Sequence, residues 1–191
     1  MNNVNNMRLI LQAFSAEAAT DPRALTAERM IGDGNDESQA VRRRLTWLIS
    51  RESEPLAPEM MINPAGTDTP CGGSSADHLW PGDDPSSPGG ELLESHEVSY
   101  ALIHHESIAW RSFKDEANAA NEPIITDKKV DQGSYWNEQQ WTGQVGWRDG
   151  RVDWEEDVQV PVRFRDDRPR EGYHLFHPPP DAPPQNFMVN P

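Results

Sequence analysis

Residues Trp136–Trp154, WNEQQWTGQVGWRDGRVDW, decide the fold. Trp141, Gln144, Gly146 and Trp147 lead into Arg148-Asp149-Gly150-Arg151, after which Val152 and Trp154 alternate with Asp153. Asp-Gly between two alternating runs predicts a β-hairpin with a type I′ turn, which requires positive φ at both central residues. On the exit strand Val152 and Trp154 share one face, with Arg151 and Asp153 on the other. Trp147 and Trp154 are expected in the core, because aromatic side chains dominate small cores. Trp147, Asp149, Gly150, Val152 and Trp154 therefore form a structural hairpin. It contains no nucleophile, proton shuttle or phosphate loop.

Working outward, the chain before the hairpin supplies helices and further strands. Residues 3–19 place Val4, Met7, Leu11, Phe14 and Ala18 at three- and four-residue spacing, an amphipathic helix. Asp21-Pro22 ends it, since the residue before proline avoids α geometry. A short turn is expected over Ala24–Met30, then a break at Gly32-Asp33-Gly34-Asn35. Ser38–Arg51 forms a second helix with Val41, Leu45, Leu48 and Ile49 on one face. Arg42, Arg43 and Arg44 crowd its other faces, a candidate binding patch, although such a run is more often a solvated face, here balanced by Glu52 and Glu54. Met60-Met61-Ile62 reads as a short strand, Val98–Ile103 as a better one, and Glu122–Asp127 as a short buried strand. Val158–Phe164 alternates but carries Pro161, which restricts it to an edge. The tail 165–191 is proline-rich and expected on the surface, pinned by Phe176 and Phe187.

Composition narrows the function classes. Only 35% of the 191 residues are hydrophobic, and 17 prolines and 13 glycines imply long irregular connections around a modest core. Seven tryptophans argue against wholesale disorder. A formal net charge of −15 opposes long-range attraction to nucleic acid or anionic membranes. The single cysteine, Cys71, allows no internal disulfide, and no Cys/His zinc pattern is present. No secretory leader and no membrane-length apolar run are visible.

Several side chains are candidate sites. In the long loop 67–90, Asp77, Asp83 and Asp84 are candidate calcium ligands without the regular spacing of an EF-hand. His104 and Glu106 share a face if the strand continues, with His105 opposing them. With His96 they make a conceivable metal cluster, although exposed polar residues at a strand end are commoner. Trp136 and Trp141 are candidate sugar-stacking residues. A hydrolase pairing Glu155 or Glu156 with His104 or His105 can be drawn. No catalytic fingerprint accompanies it, so no catalytic residue and no obligatory cofactor are assigned.

An N-terminal helix followed by antiparallel strands is an α+β layout. Its blocks resemble the prepilin-like, type II secretion pseudopilin-related proteins of planctomycete-type bacteria, whose C-terminal signature is His, nine residues, then Asp-Gly. Asn5-Asn6-Met7-Arg8-Leu9-Ile10, Met61-Ile62-Asn63-Pro64, Ser99-Tyr100-Ala101 and Pro123–Asp127 resemble family segments in the same order. So do Asn137 and Gly143–Trp154. Gln139 stands at the position of the signature His, and Arg151 replaces the second common His, so no histidine role carries over. The resemblance implies a pilin-like fold, with the end of a helical spine on a small antiparallel sheet and long Pro/Gly-rich loops. It divides the chain into a helical segment 1–31, a globular head 32–164 and a tail 165–191.

It also implies a non-catalytic structural or interaction subunit of an extracellular, cell-surface or periplasmic filament or secretion pseudopilus. The expected partners are copies of itself or other pilin-like subunits, without nucleic acid. Membrane attachment is expected only through an apolar helix of about twenty residues that lies outside this sequence. A carbohydrate- or calcium-binding surface module is the alternative.

Overall fold

The computed structural model describes residues 2–26, 37–51, 54–72, 90–110, 113, 122–128, 142–156, 162–163, 169–170, 176 and 188–191. Helix α1 spans Asn3–Thr20. The Asn2 side chain caps it by accepting from the Asn5 amide, and extended geometry at Asp21 stops it before Pro22. Met7, Leu11, Phe14 and Ala18 of its expected stripe are at most 1% exposed, as is Ile10, while Val4 is only partly buried against the core. Helix α2 spans Glu37–Ser50.

The strands are β1 (Tyr100–Ile103), β2 (Pro123–Asp127), β3 (Thr142–Trp147), β4 (Val152–Glu156), β5 (Val162–Arg163), β6 (Pro169–Arg170) and β7 (Met188–Val189). Among the described residues they form one five-stranded antiparallel sheet in the order β4-β3-β2-β1-β7, and a separate β5-β6 ribbon. The architecture is an N-terminal helix with a small antiparallel sheet, an α+β arrangement.

Register decides which side chains meet α1. Leu102 pairs with Ile125, Ile125 with Gly146, and Gly146 with Val152, so these share one face. Helix α1 lies over that face. The opposite face carries Ala101, Ile103, Thr126, Val145 and Met188, and it too is buried. A sheet buried on both faces explains why β1 and most of β2 lack the polar–apolar alternation of a half-solvated strand.

Polar contacts fix the start of α1. The Asp127 carboxylate accepts from Asn3 Nδ2 at 2.8 Å, Asn63 Nδ2 at 2.9 Å and the Gln144 amide at 2.8 Å. The Tyr100 hydroxyl donates to Asn3 Oδ1 at 2.8 Å. Burial holds this phenol well above its ordinary pKa, so it stays a donor at working pH. Asn6 Nδ2 reaches the Ile62 carbonyl at 3.0 Å. Beside this hub Asp68 accepts from Lys128 Nζ at 2.6 Å and Ser99 Oγ at 2.7 Å, pinning the 61–69 segment to the entry of β1.

Several expectations change. The hairpin forms at the expected residues, but Gly150 alone there has positive φ, at +87°. The Gly150 amide donates to the Trp147 carbonyl at 2.9 Å, and the Trp147 amide to the Arg151 carbonyl at 2.8 Å. This is a type I turn closed by a left-handed glycine, not type I′, with three residues in the loop. Val152 and Trp147 are buried as expected, but Trp154 is 57% exposed. Among the described residues its strand is at the sheet edge, with a strand neighbour on one side only.

Met60-Met61 is part of a 3₁₀ turn, Pro58–Met61, rather than a strand, because Pro58 at its first position suits a helical start. Within Val158–Phe164 the described strand is Val162–Arg163 alone. The tail does more than cover the surface: Met188 and Val189 pair with Ile103 and Leu102 and are buried. Phe176 is buried as expected, while Phe187 lies outside the described residues. Arg44 is not on a solvated face of α2. Only 1% exposed, it falls on the Val41–Leu45–Leu48 stripe.

At Gly146 helix and sheet approach closely. A Cβ there would lie 2.5 Å from Ile125 Cγ2 and 3.0 Å from Leu11 Cδ1. Gly146→Val is expected to destabilise the chain by about 2–3 kcal/mol through overpacking. Urea denaturation would check this, with Gly72→Ala, where a Cβ meets nothing within 4 Å, as the near-neutral control.

Candidate functional site

Where β1 ends, the chain turns sharply and brings three chemically capable side chains together. The Ser107 amide donates to the His104 carbonyl at 2.9 Å, closing a β-turn over His104–Ser107. Trp110 Nε1 also donates to the His104 carbonyl, at 3.0 Å. Arg44 donates one nitrogen to the Leu25 carbonyl at 2.9 Å and to the His105 carbonyl at 3.2 Å. Two side chains from outside the turn thus hold the backbone that carries the histidines.

The strand does not continue through His104–Glu106, so His105 does not oppose its neighbours as strand geometry would require. The two imidazoles stack instead, with centroids 4.1 Å apart. One ligand atom from each of His104, His105 and Glu106 lies within 4.8 Å of the others. His104 Nε2 is 3.2 Å from Glu37 Oε1 at the start of α2, and His104 Nδ1 accepts from the Glu106 amide at 3.2 Å. That pair of contacts sets the tautomer, with Nε2 protonated and Nδ1 holding the lone pair. The Nδ1 of His105 is buried and makes no hydrogen bond among the described residues.

The surroundings of His105 disfavour its protonation. Burial lowers its pKa first, and the neighbouring His104 ring and the Arg44 guanidinium lower it further, against weaker opposition from Glu106 and Glu37. Arg44 packs its guanidinium 4.3 Å from the Trp110 ring centroid, a cation–π contact. Burial pushes its pKa down to about 9, which leaves it cationic at neutral pH. Trp110 stands edge-on to Phe14 of α1, with centroids 5.3 Å apart, so the turn is coupled to the core.

The other candidates are not gathered here. His96 is exposed and lies outside this cluster, in a 3₁₀ turn before β1. Glu155 and Glu156 are on β4, separated from β1 by two strands and hence by about 14 Å of sheet. The drawn pairing of Glu155 with His104 or His105 does not form. Asp77, Asp83, Asp84, Trp136 and Trp141 lie outside the described residues. Cys71 is buried, and burial, reinforced by Glu97 and Glu91, raises its thiol to about 11, so it stays protonated. The sequence pattern puts Arg44 on a solvated face and gives Glu37 no role. For Arg44 the signal was its i+3 position from Val41 on the apolar stripe. Glu37 had none, because its partner is distant in the chain.

The chain matches no family model, no curated protein and no solved structure. Among the described residues no helix is long and apolar enough to cross a membrane.

The lowered His105 pKa fixes the sign of a pH effect. The unfolded chain takes up this proton near the ordinary value of 6.5, whereas the folded chain resists it until lower pH. Stability is therefore full above 6.5 and declines as pH falls from there through the lowered folded value. Urea midpoints measured in chelator-treated buffer should drop between pH 7.5 and 5.5. His105→Asn should flatten that slope, and an unchanged slope would remove His105 as its source.

Proposed function

We propose that this chain is a non-catalytic interaction subunit, the globular head of a pseudopilin-like protein in an extracellular or periplasmic filament or secretion pseudopilus. The observation that carries the reading is the two-sided use of α1. One face, Met7, Ile10, Leu11 and Phe14, is buried in the core. The other, Asn5, Arg8, Gln12, Ser15, Ala16 and Ala19, is exposed along the helix. A subunit that contributes a spine helix to an assembly needs this division, one face for its own head and one for neighbours. The sequence blocks that resemble pseudopilins support the same reading, and several fall on this frame, at the start of α1, on β1, on β2 and through the β3-β4 hairpin.

In this reading the partners are further copies of the chain or other pilin-like subunits. The net charge of −15 argues against nucleic acid. One observation favours a second reading, a carbohydrate-binding surface: Trp154 stands 57% exposed on the edge strand, the kind of flat aromatic face on which a sugar ring can stack.

Photo-crosslinking from Arg8, Gln12 and Ser15, one at a time, in the producing organism tests the assembly. The expected result is crosslinked species at multiples of the chain mass, or joined to another envelope protein, in the envelope fraction. Recovery of the chain solely as an uncrosslinked cytosolic monomer would overturn the proposal.

A further inference from the structure

We infer that His104, His105 and Glu106 form a binding site for a divalent transition-metal ion of the zinc class, with Glu37 as the carboxylate that orients His104. The site is independent of the assembly role proposed above. It is made by the fold rather than by sequence proximity alone, since on a continuing strand His105 would point away from its neighbours. The turn at the end of β1 reverses that, and the ligand atoms of all three residues come within 4.8 Å of one another. Tetrahedral zinc at about 2.0–2.1 Å from each ligand needs ligand–ligand separations of about 3.4 Å. Side-chain torsions can supply the difference while the backbone stays in place.

Three features suit an ion. First, the backbone is already held, by the His104–Ser107 turn, by Trp110 on the His104 carbonyl and by Arg44 on the His105 carbonyl. Little ordering remains to be done on binding. Second, His105 Nδ1 is a buried nitrogen without a hydrogen-bond partner among the described residues, a group that ordinarily costs stability unless something occupies it. Third, His104 Nε2 faces Glu37, the arrangement in which a carboxylate fixes the ring and leaves the other nitrogen to the metal. His104 Nδ1 would exchange its 3.2 Å contact with the Glu106 amide for the ion.

The ligand set selects the ion class. Two imidazoles and one carboxylate suit zinc and its transition-metal neighbours, whereas calcium seeks six to eight oxygen ligands. Charge is permissive. The Arg44 guanidinium opposes a cation, but the Glu37 and Glu106 carboxylates outnumber it two to one at the site. An ion here would reinforce the link between the end of β1 and α2 that the His104–Glu37 and Arg44–His105 contacts already make.

Titration of the full chain, free of any affinity tag, with zinc by calorimetry and with cobalt by visible absorption tests the inference. Glu106 is exposed and Glu106→Gln should fold normally, while His105→Asn removes the partnerless nitrogen. The expected result is one ion per chain, cobalt ligand-field bands, and at least tenfold weaker binding in both variants. Glu37→Gln should weaken binding about tenfold while leaving the stoichiometry at one. Absence of saturable zinc and cobalt binding would overturn the site. So would binding that neither Glu106→Gln nor His105→Asn changes, since the ion would then sit on other groups.

Discussion

The Asp127 carboxylate sets the register on which the structure depends. It ends β2, and it receives one hydrogen bond from α1 through Asn3, one from the 61–69 segment through Asn63, and one from β3 through the Gln144 amide. A carboxylate accepting several such bonds makes each one charge-assisted and stronger than a neutral pair. Apolar burial supplies the larger energy. Met7, Ile10, Leu11 and Phe14, at about 1.5–3 kcal/mol each, contribute on the order of 6–12 kcal/mol as an upper estimate. That attraction is non-directional, and it would tolerate a helix slid along the sheet. The polar hub does not, because Asn3, Tyr100 and Asn63 reach their partners in one placement.

With the start of α1 fixed, the rest follows by proximity. Leu11 is carried over Gly146, where only a missing side chain permits the approach. Phe14 is carried onto Trp110, and Trp110 in turn meets Arg44 of α2 and the His104 carbonyl. The end of α1 meets the end of α2 through the Glu17–Arg51 ion pair. The His104–Glu106 turn is thus built on the far end of a chain of contacts that begins at Asp127. Its geometry is inherited from the core, and a change in helix register would be felt there.

Local pattern was legible in the sequence; partners distant in the chain were not. The stripe of α1, the Asp21-Pro22 stop, β1, β2 and the β3-β4 hairpin follow from spacing and turn chemistry. The turn type was misread because Asp-Gly also fits a type I turn with one left-handed glycine, and only backbone angles separate the two. Trp154 was misplaced because hydrophobicity says nothing about which strand is the edge. Arg44 was read by its charge when its position on the stripe placed it inside, neutral carbonyls and an aromatic ring serving where water would. The pairing of Met188–Val189 with β1 joins residues nearly ninety positions apart, which no local pattern encodes. The candidate site was half visible: His104 and Glu106 were named, but the turn that adds His105 and the approach of Glu37 are tertiary facts.

A double-mutant cycle between Asn3→Ala and Asp127→Ala, read by urea denaturation, measures the central contact most directly. If Asp127 registers the helix on the sheet, the two losses should be non-additive, with a coupling of about 1–2 kcal/mol. Losses that add to within about 0.3 kcal/mol would mean that α1 finds its place without this hub, and the account of the fold would be wrong at its base.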